Sequence, residues 1–283
     1  AWTGAMVAGL AFVLARDRVG AGTLLAVWVG TGGLAGIGHL LIERLSPDLR
    51  SGFAWISGNR DLSFPYAMDF VSGQGAASFS SVVLASVAGT AAAGSVRGAI
   101  TLFGPVNVLF TGAYVILVPE GQRAVRRSIR GLTRMCMVAS AVLGWAAGSI
   151  LVALLVIPDR WGQAILGSTW PGAHELVPLI GVAAVGSGVL GGATSGLRAL
   201  GMARSVLRTR ILTLPTTLGL PILGAVLGGA RGLALGLMVA VWIAVAAYWS
   251  AYLSIARSTV GSATGSESLG QSGGLLGDLV DDG

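Results

Sequence analysis

Apolar runs about as long as a membrane is thick recur along almost the whole chain, and they decide its fold class before any motif is considered. A helix crossing the hydrocarbon core needs about 20 apolar residues. On that ruler segments stand out at 1–15, 19–42, 66–92, 97–118, 135–157, 176–199, 211–229 and 232–255 of the 283-residue sequence. One globular core cannot bury so many. Charge agrees: 11% of the residues are charged, against roughly 25% in ordinary soluble domains. The expected fold is all-α, a polytopic transmembrane bundle of about eight helices. The first segment is short for a crossing, and Ala1 and Trp2 enter it without an initiator Met or basic leader, so an N-terminally truncated chain is expected.

The chemistry of the charged residues narrows the function. All 18 cationic residues are Arg, and Lys is absent. A phosphate-loop Lys, a Schiff-base Lys and a kinase-type Lys are thereby excluded. Cys136 is the single cysteine, and His39 and His174 are the two histidines, which leaves no disulfide framework and no zinc spacing. No catalytic residue, metal or cofactor is expected, and the chain is read as a non-enzyme. The formal charge of +6 does not indicate a nucleic-acid partner, because the Arg residues sit in short connections where basic charge sets membrane orientation.

That orientation follows from a count. The connections at 43–61, 119–134 and 198–210, with Arg257, hold 13 of the 18 Arg, and the connections at 16–18, 93–97, 158–175 and 230–231 hold the other 5. The first set is expected on the cytoplasmic side, which gives a multi-pass protein of the cell membrane with both ends cytoplasmic. The 43–61 segment mixes both charge signs and divides the chain into 1–42, a linker at 43–61, a bundle at 62–257 and a tail at 258–283. The tail is Gly/Ser-rich, then acidic, and is expected to be disordered. The 158–175 connection carries Trp161 and Trp170, rings suited to the membrane interface, and is expected to lie along the outer surface.

Within the apolar segments, glycines four apart, at Gly32/Gly36, Gly144/Gly148 and Gly224/Gly228, suit close helix approach in lipid and sliding between transporter states. Gly186, Gly188 and Gly191 match GxGxxG only formally, with no strand before them. Gly104 and Pro105 in the fourth segment, and Pro215 and Pro221 in the seventh, are candidate hinges or static kinks. Arg97, Thr101, Gly104, Asn107 and Thr111 fall within about a third of the helix circumference at 100° per residue and should face protein or water. Gln74, Ser78 and Ser81 form a similar face on the third segment. Asp69 lies at a span's edge and is a candidate for ion coupling or gating, with helix capping or pairing to a loop Arg as the competing role. His39 and Glu43 are expected to form an interfacial pair.

The stretch from Phe64 to Glu120 resembles the opening helix pair of a lobe in polysaccharide exporters of the multidrug/oligosaccharidyl-lipid/polysaccharide flippase superfamily. The resemblance is carried by the Asp69 to Gly75 start, the turn from Ala93 to Arg97, Gly104-Pro105, and Pro119-Glu120 followed by basic residues. The runs LGSTWPGAHELVPLI from Leu166 and SGLRALGMAR from Ser195 resemble the next helix pair. The resemblance implies two lobes around a central cavity, of which this chain supplies the last two helices of the first lobe and a complete six-helix second lobe. It implies flipping of a lipid-linked oligosaccharide, or another cell-envelope polysaccharide precursor, by alternating access. Membrane lipid and polysaccharide assembly proteins are the other implied partners. An anionic pyrophosphate headgroup needs cationic partners in such a cavity, for which Arg97 and Arg198 are the candidates, with Thr101, Asn107 and Gln74 as further substrate contacts.

Two other functions compete. A cation-coupled multidrug exporter of the same superfamily would need embedded carboxylates. A membrane-embedded polyprenyl-phosphate glycosyltransferase would need clustered acidic residues with metal, whereas Asp48, Asp61 and Asp159 are scattered. A purely structural membrane subunit is the remaining reading.

Overall fold

The computed structural model describes the backbone of residues 21–42 and 48–277, with side chains for most of these as far as residue 258. The expected span at 1–15, Glu43 and the tail's last residues, 278–283, lie outside the described residues, as do the side chains of Asp69 and Gln74. The described residues form helices and no strands. Four helical stretches, Ser78–Leu102, Ile129–Val156, Asp159–Ala199 and Ala203–Ser258, are long and apolar enough to cross a membrane, and they mark a helical membrane protein. Large apolar side chains remain exposed on the flanks, such as Trp145 at 77%, as expected of a surface that meets lipid rather than water.

The chain divides into two compact units between Asn59 and Arg60. The first contains α1 (Ala21–Ile42) and α2 (Leu49–Gly58), so the expected linker at 43–61 itself contains a helix. Asp48 caps α2, accepting the backbone N–H groups of Arg50 at 3.0 Å and Ser51 at 3.2 Å and the Ser51 hydroxyl at 2.5 Å. These donors, led by the Ser51 hydroxyl, hold the Asp48 carboxyl below its usual range because they favour the ionised form.

The second unit contains α3 (Arg60–Leu102), α4 (Gly104–Arg127), α5 (Ile129–Val156), α6 (Asp159–Leu166), a 3₁₀ turn at Gly167–Thr169, α7 (Trp170–Ala199) and α8 (Ala203–Gly277). Two of these helices bend sharply at glycine. In α3, Gly89 has φ 87° and ψ 165°, a combination that side-chain-bearing residues avoid. In α8 the break falls at Gly228 and Gly229, the latter at φ 57° and ψ −135°. The two arms of α8 then run back along each other: a Cβ on Gly224 would collide with the Gly232 carbonyl, and one on Gly236 with Leu220.

The segments expected at 211–229 and 232–255 are the two arms of α8, separated by the break at Gly228 and Gly229. Pro215 and Pro221, the candidate hinges or static kinks of the seventh segment, both lie in the first of these arms. Both prolines lie inside helical α8, and non-helical backbone is confined to the glycine pair. Pro215 and Pro221 leave the carbonyls of Ile211 and Thr217 without their intrahelical donors, while the nearby threonine hydroxyls bond other carbonyls, Thr213 Oγ1 that of Thr209 at 2.9 Å and Thr216 Oγ1 that of Thr213 at 2.7 Å. The α8 backbone remains helical to Gly277, through much of the stretch expected to be disordered.

α7 is the centre of the bundle. Its Gly186, Gly188 and Gly191, the formal GxGxxG, are buried and meet three different helices: Gly186 faces Val241 of α8, Gly188 faces the backbone of Leu143 and Gly144 in α5, and Gly191 faces Tyr114 of α4. Close helix packing therefore accounts for all three. One α7 carbonyl, that of Val189, accepts both the Ser140 hydroxyl of α5 at 2.7 Å and the Trp249 indole N–H of α8 at 3.1 Å. Each such interhelical bond contributes about 0.6 kcal/mol in a membrane bundle, and sharing one acceptor fixes three helices together.

The connection at 158–175 is not a flat surface strap. Trp161 is 60% exposed, but Trp170 is 1% exposed, seated against Gly162, with its indole N–H donated to Asp159 Oδ1 at 2.8 Å. Trp170 opens α7 and stacks on His174 with ring centroids 4.7 Å apart, so α6 folds back over a buried ring rather than presenting it to an interface. The 93–98 region meets this same end through Gly98 and Ala173, and Arg231 pairs there with Glu175 at 2.9 Å. At the opposite end Gly121 meets Ala199 and Leu132, and Thr133 bonds Tyr252 at 2.9 Å.

Candidate functional site

A cavity of about 810 Å³ opens between α3 and α8. The bend at Gly89 lets both arms of α3 wall it: Ser78, Ser80, Ser81 and Leu84 from before the bend, Gly94, Arg97 and Ile100 from after it. α8 contributes Arg210, Thr217 and Pro221 from its first arm, Leu233 and Leu237 from its second. Arg210 and Pro221 are eleven residues apart, or about 16 Å along a helix at 1.5 Å per residue. The cavity thus extends for about three turns, with Arg97 from the end that holds Glu175 and Arg210 from the arm leading to the other end.

Its chemistry is mixed in a specific way. Leucine, isoleucine and valine side chains supply apolar wall, three serines supply hydroxyls that both donate and accept, and two guanidinium groups supply charge that persists away from water. Among the described residues no group of three or more His, Cys, Asp or Glu is placed to hold a metal ion. The arrangement suits a long amphiphilic molecule with an anionic, hydroxyl-rich part: planar guanidinium recognises phosphate oxygens in pairs, and a pocket with few polar groups in an apolar lining fixes orientation.

The expected site residues separate into distinct groups. Arg97, Ser78, Ser81 and Pro221 line the cavity. Thr101 and Asn107 are exposed and are not among its lining residues, and Thr101 donates its hydroxyl to the Arg97 carbonyl at 2.8 Å. The projected stripe from Arg97 to Thr111 does not survive because the chain leaves the helix at Phe103, which has φ −88° and ψ 9°. Angular positions counted at a constant 100° per residue do not continue across that break. Gly104 and Pro105 begin α4 there, with the proline in its first turn, where the missing N–H costs no intrahelical bond.

Arg198 sits in the last turn of α7 and is half-buried. It shares a face with Gly191 and Thr194, residues that meet Tyr114 of α4, so it belongs to the α4–α7 contact rather than to the cavity wall. Pro215 is an exposed position of α8. Gln74 and Asp69 lie on the α3 backbone upstream of the serines. Arg210 was assigned by sequence only to the orienting Arg set, although Arg210, Thr217 and Pro221 recur at intervals of seven and four residues, the spacing of one helix face. That periodicity is the signal for the second cationic wall residue. No family model, no curated protein and no solved structure matches the chain.

Proposed function

We propose that this protein is a membrane transporter that flips a lipid-linked oligosaccharide, or a related cell-envelope polysaccharide precursor, across the cytoplasmic membrane by alternating access. The observation that carries the proposal is the cavity between α3 and α8, long and largely apolar, with Arg97, Arg210 and three serines in its wall. A lipid-linked sugar has the matching parts: phosphate for the guanidinium groups, hydroxyls for the serines, and a polyprenyl chain for the apolar wall. The two bent helices supply elements whose arms can open the cavity toward either end. In this proposal the full bundle has eight crossings, both ends are cytoplasmic, and polysaccharide assembly proteins receive the product.

The test uses the full-length protein reconstituted in vesicles with a fluorescent lipid-linked sugar. Loss of a charge-assisted contact worth about 1.5–3 kcal/mol lowers translocation at least about tenfold in Arg97→Ala and in Arg210→Ala, with the bundle still monodisperse. Unchanged flipping in both variants overturns the proposal. The topology is tested by cysteine labelling at Arg127 and Trp161, both exposed, which should report opposite sides.

A further inference from the structure

Two grooves run along the outer flanks of α5, away from the cavity just described. One, about 540 Å³, lies between α4 and α5 and includes Ile116, Leu117, Arg134, Val138 and Val142. The other, about 470 Å³, lies between α5 and the second arm of α8 and includes Arg130, Arg134, Met137, Leu253 and Arg257. Arg134 belongs to both. At 100° per residue, Val138 and Val142 fall to one side of Arg134 on the helix and Thr133 and Met137 to the other, so α5 forms a ridge between two apolar channels that share a cationic head.

Among the described residues no carboxylate pairs with Arg130, Arg134 or Arg257, whereas Arg123 holds Glu120 and Arg231 holds Glu175. Three guanidinium groups at the mouth of two apolar channels are complementary to one kind of molecule, an amphiphile with a single anionic head and two hydrocarbon chains. We infer that the α5 ridge is a binding site for an anionic phospholipid of the membrane, its phosphate on Arg130, Arg134 and Arg257 and one acyl chain in each groove. Basic pockets between helices at a membrane face recognise anionic lipid headgroups in this way. These arginines also belong to the majority Arg set, which the charge rule places on the cytoplasmic side, where anionic lipid is concentrated. The inference rests on the membrane character of the helices and not on the flipping activity, so either can fail without the other.

The experiment compares phosphatidylglycerol with phosphatidylcholine of the same acyl chains, mixed with the full chain in detergent micelles, and reads retained lipid by native mass spectrometry. Phosphatidylglycerol is retained in preference to phosphatidylcholine. Retention weakens about fivefold in R134Q and roughly a hundredfold in R130Q/R134Q/R257Q, at about 1 kcal/mol of attraction per Arg. R126Q/R127Q removes two exposed charges from the last turn of α4, outside both grooves, and retains lipid as the unaltered protein does. Equal retention of the two lipids, or equal loss in R134Q and R126Q/R127Q, overturns the inference. Displacement of the lipid by inorganic phosphate at matched concentration does so too, because the chains would then contribute nothing. M137W/V138W fills the grooves with every Arg in place and should lower retention even if the Arg variants do not fold. Undiminished retention there also counts against the site.

Discussion

The contact of α5 with α7 and the contact of α3 with α8 use the same residue type to opposite ends. Along α5 and α7, glycine removes space. A Cβ on Gly188 would lie 2.7 Å from the Leu143 carbonyl carbon and 2.8 Å from the Gly144 nitrogen, and one on Gly192 would strike the Cys136 carbonyl. Between α3 and α8, glycine changes direction instead. Gly89 and Gly229 turn the chain at positive φ, and Gly94, on the cavity wall, has nothing within 4 Å of where its Cβ would be. In a lipid environment, where apolar burial between helices gives little drive, close backbone approach is a main source of cohesion. Glycine therefore brings backbones together where α5 crosses α7, whereas on the α3–α8 side it redirects the chain around a cavity.

The sharpest way to break this comparison is to place one large side chain in each region. Gly188→Leu meets backbone that cannot move aside and should destabilise the bundle by about 3 kcal/mol or more. Gly94→Leu projects toward open cavity and should stay within about 0.5 kcal/mol. Thermal unfolding in detergent, followed by size-exclusion recovery, measures both, and equal losses would erase the distinction. A smaller effect comes from the turn itself: Gly229→Ala keeps every contact but forces a Cβ-bearing residue to φ 57° and ψ −135°, costing about 1–3 kcal/mol. The same measurement reads it, and an unchanged midpoint would show that the α8 turn relaxes freely. The smallest is Ser140→Ala, which deletes one of the two bonds on the Val189 carbonyl while Trp249 keeps the other. A loss of about 0.6 kcal/mol is expected, and a loss several times larger would mean that the shared acceptor acts cooperatively.

The helical class was legible because it depends only on composition and run length, which twenty-residue apolar stretches state directly. The glycine packing was partly legible: Gly144 of α5 does meet Val185 and Val189 of α7, yet the spacing of Gly186, Gly188 and Gly191 does not reveal that each meets a different neighbour. The chain reversals are harder to read than the prolines: a proline removes one hydrogen bond and leaves α8 helical on both sides, whereas a reversal needs backbone angles that only glycine provides at low cost. Candidate site residues divide along the same line. Ser78 and Ser81 before the Gly89 bend and Arg97 after it line the cavity. Asn107 lies beyond the break at Phe103, Thr101 shares the Arg97 helix and turns its hydroxyl back to the Arg97 carbonyl, and Trp170 is buried because its indole finds a carboxylate, Asp159. Arg210 was overlooked because a cationic residue beside an apolar run reads first as a topological marker.

The central place of α7 also sets the order in which the bundle can be built. Chains emerge from the N-terminus, and early elements wait for their partners. α5 meets α4 first, through Gly121 against Leu132, and waits for α7 to receive Ser140 at Val189, and the cavity wall is finished only when the second arm of α8 brings in Leu233 and Leu237. The cavity is therefore the last part of this unit to be enclosed. During synthesis the arginines and serines of α3 remain open to water or headgroups until the chain behind them is almost complete.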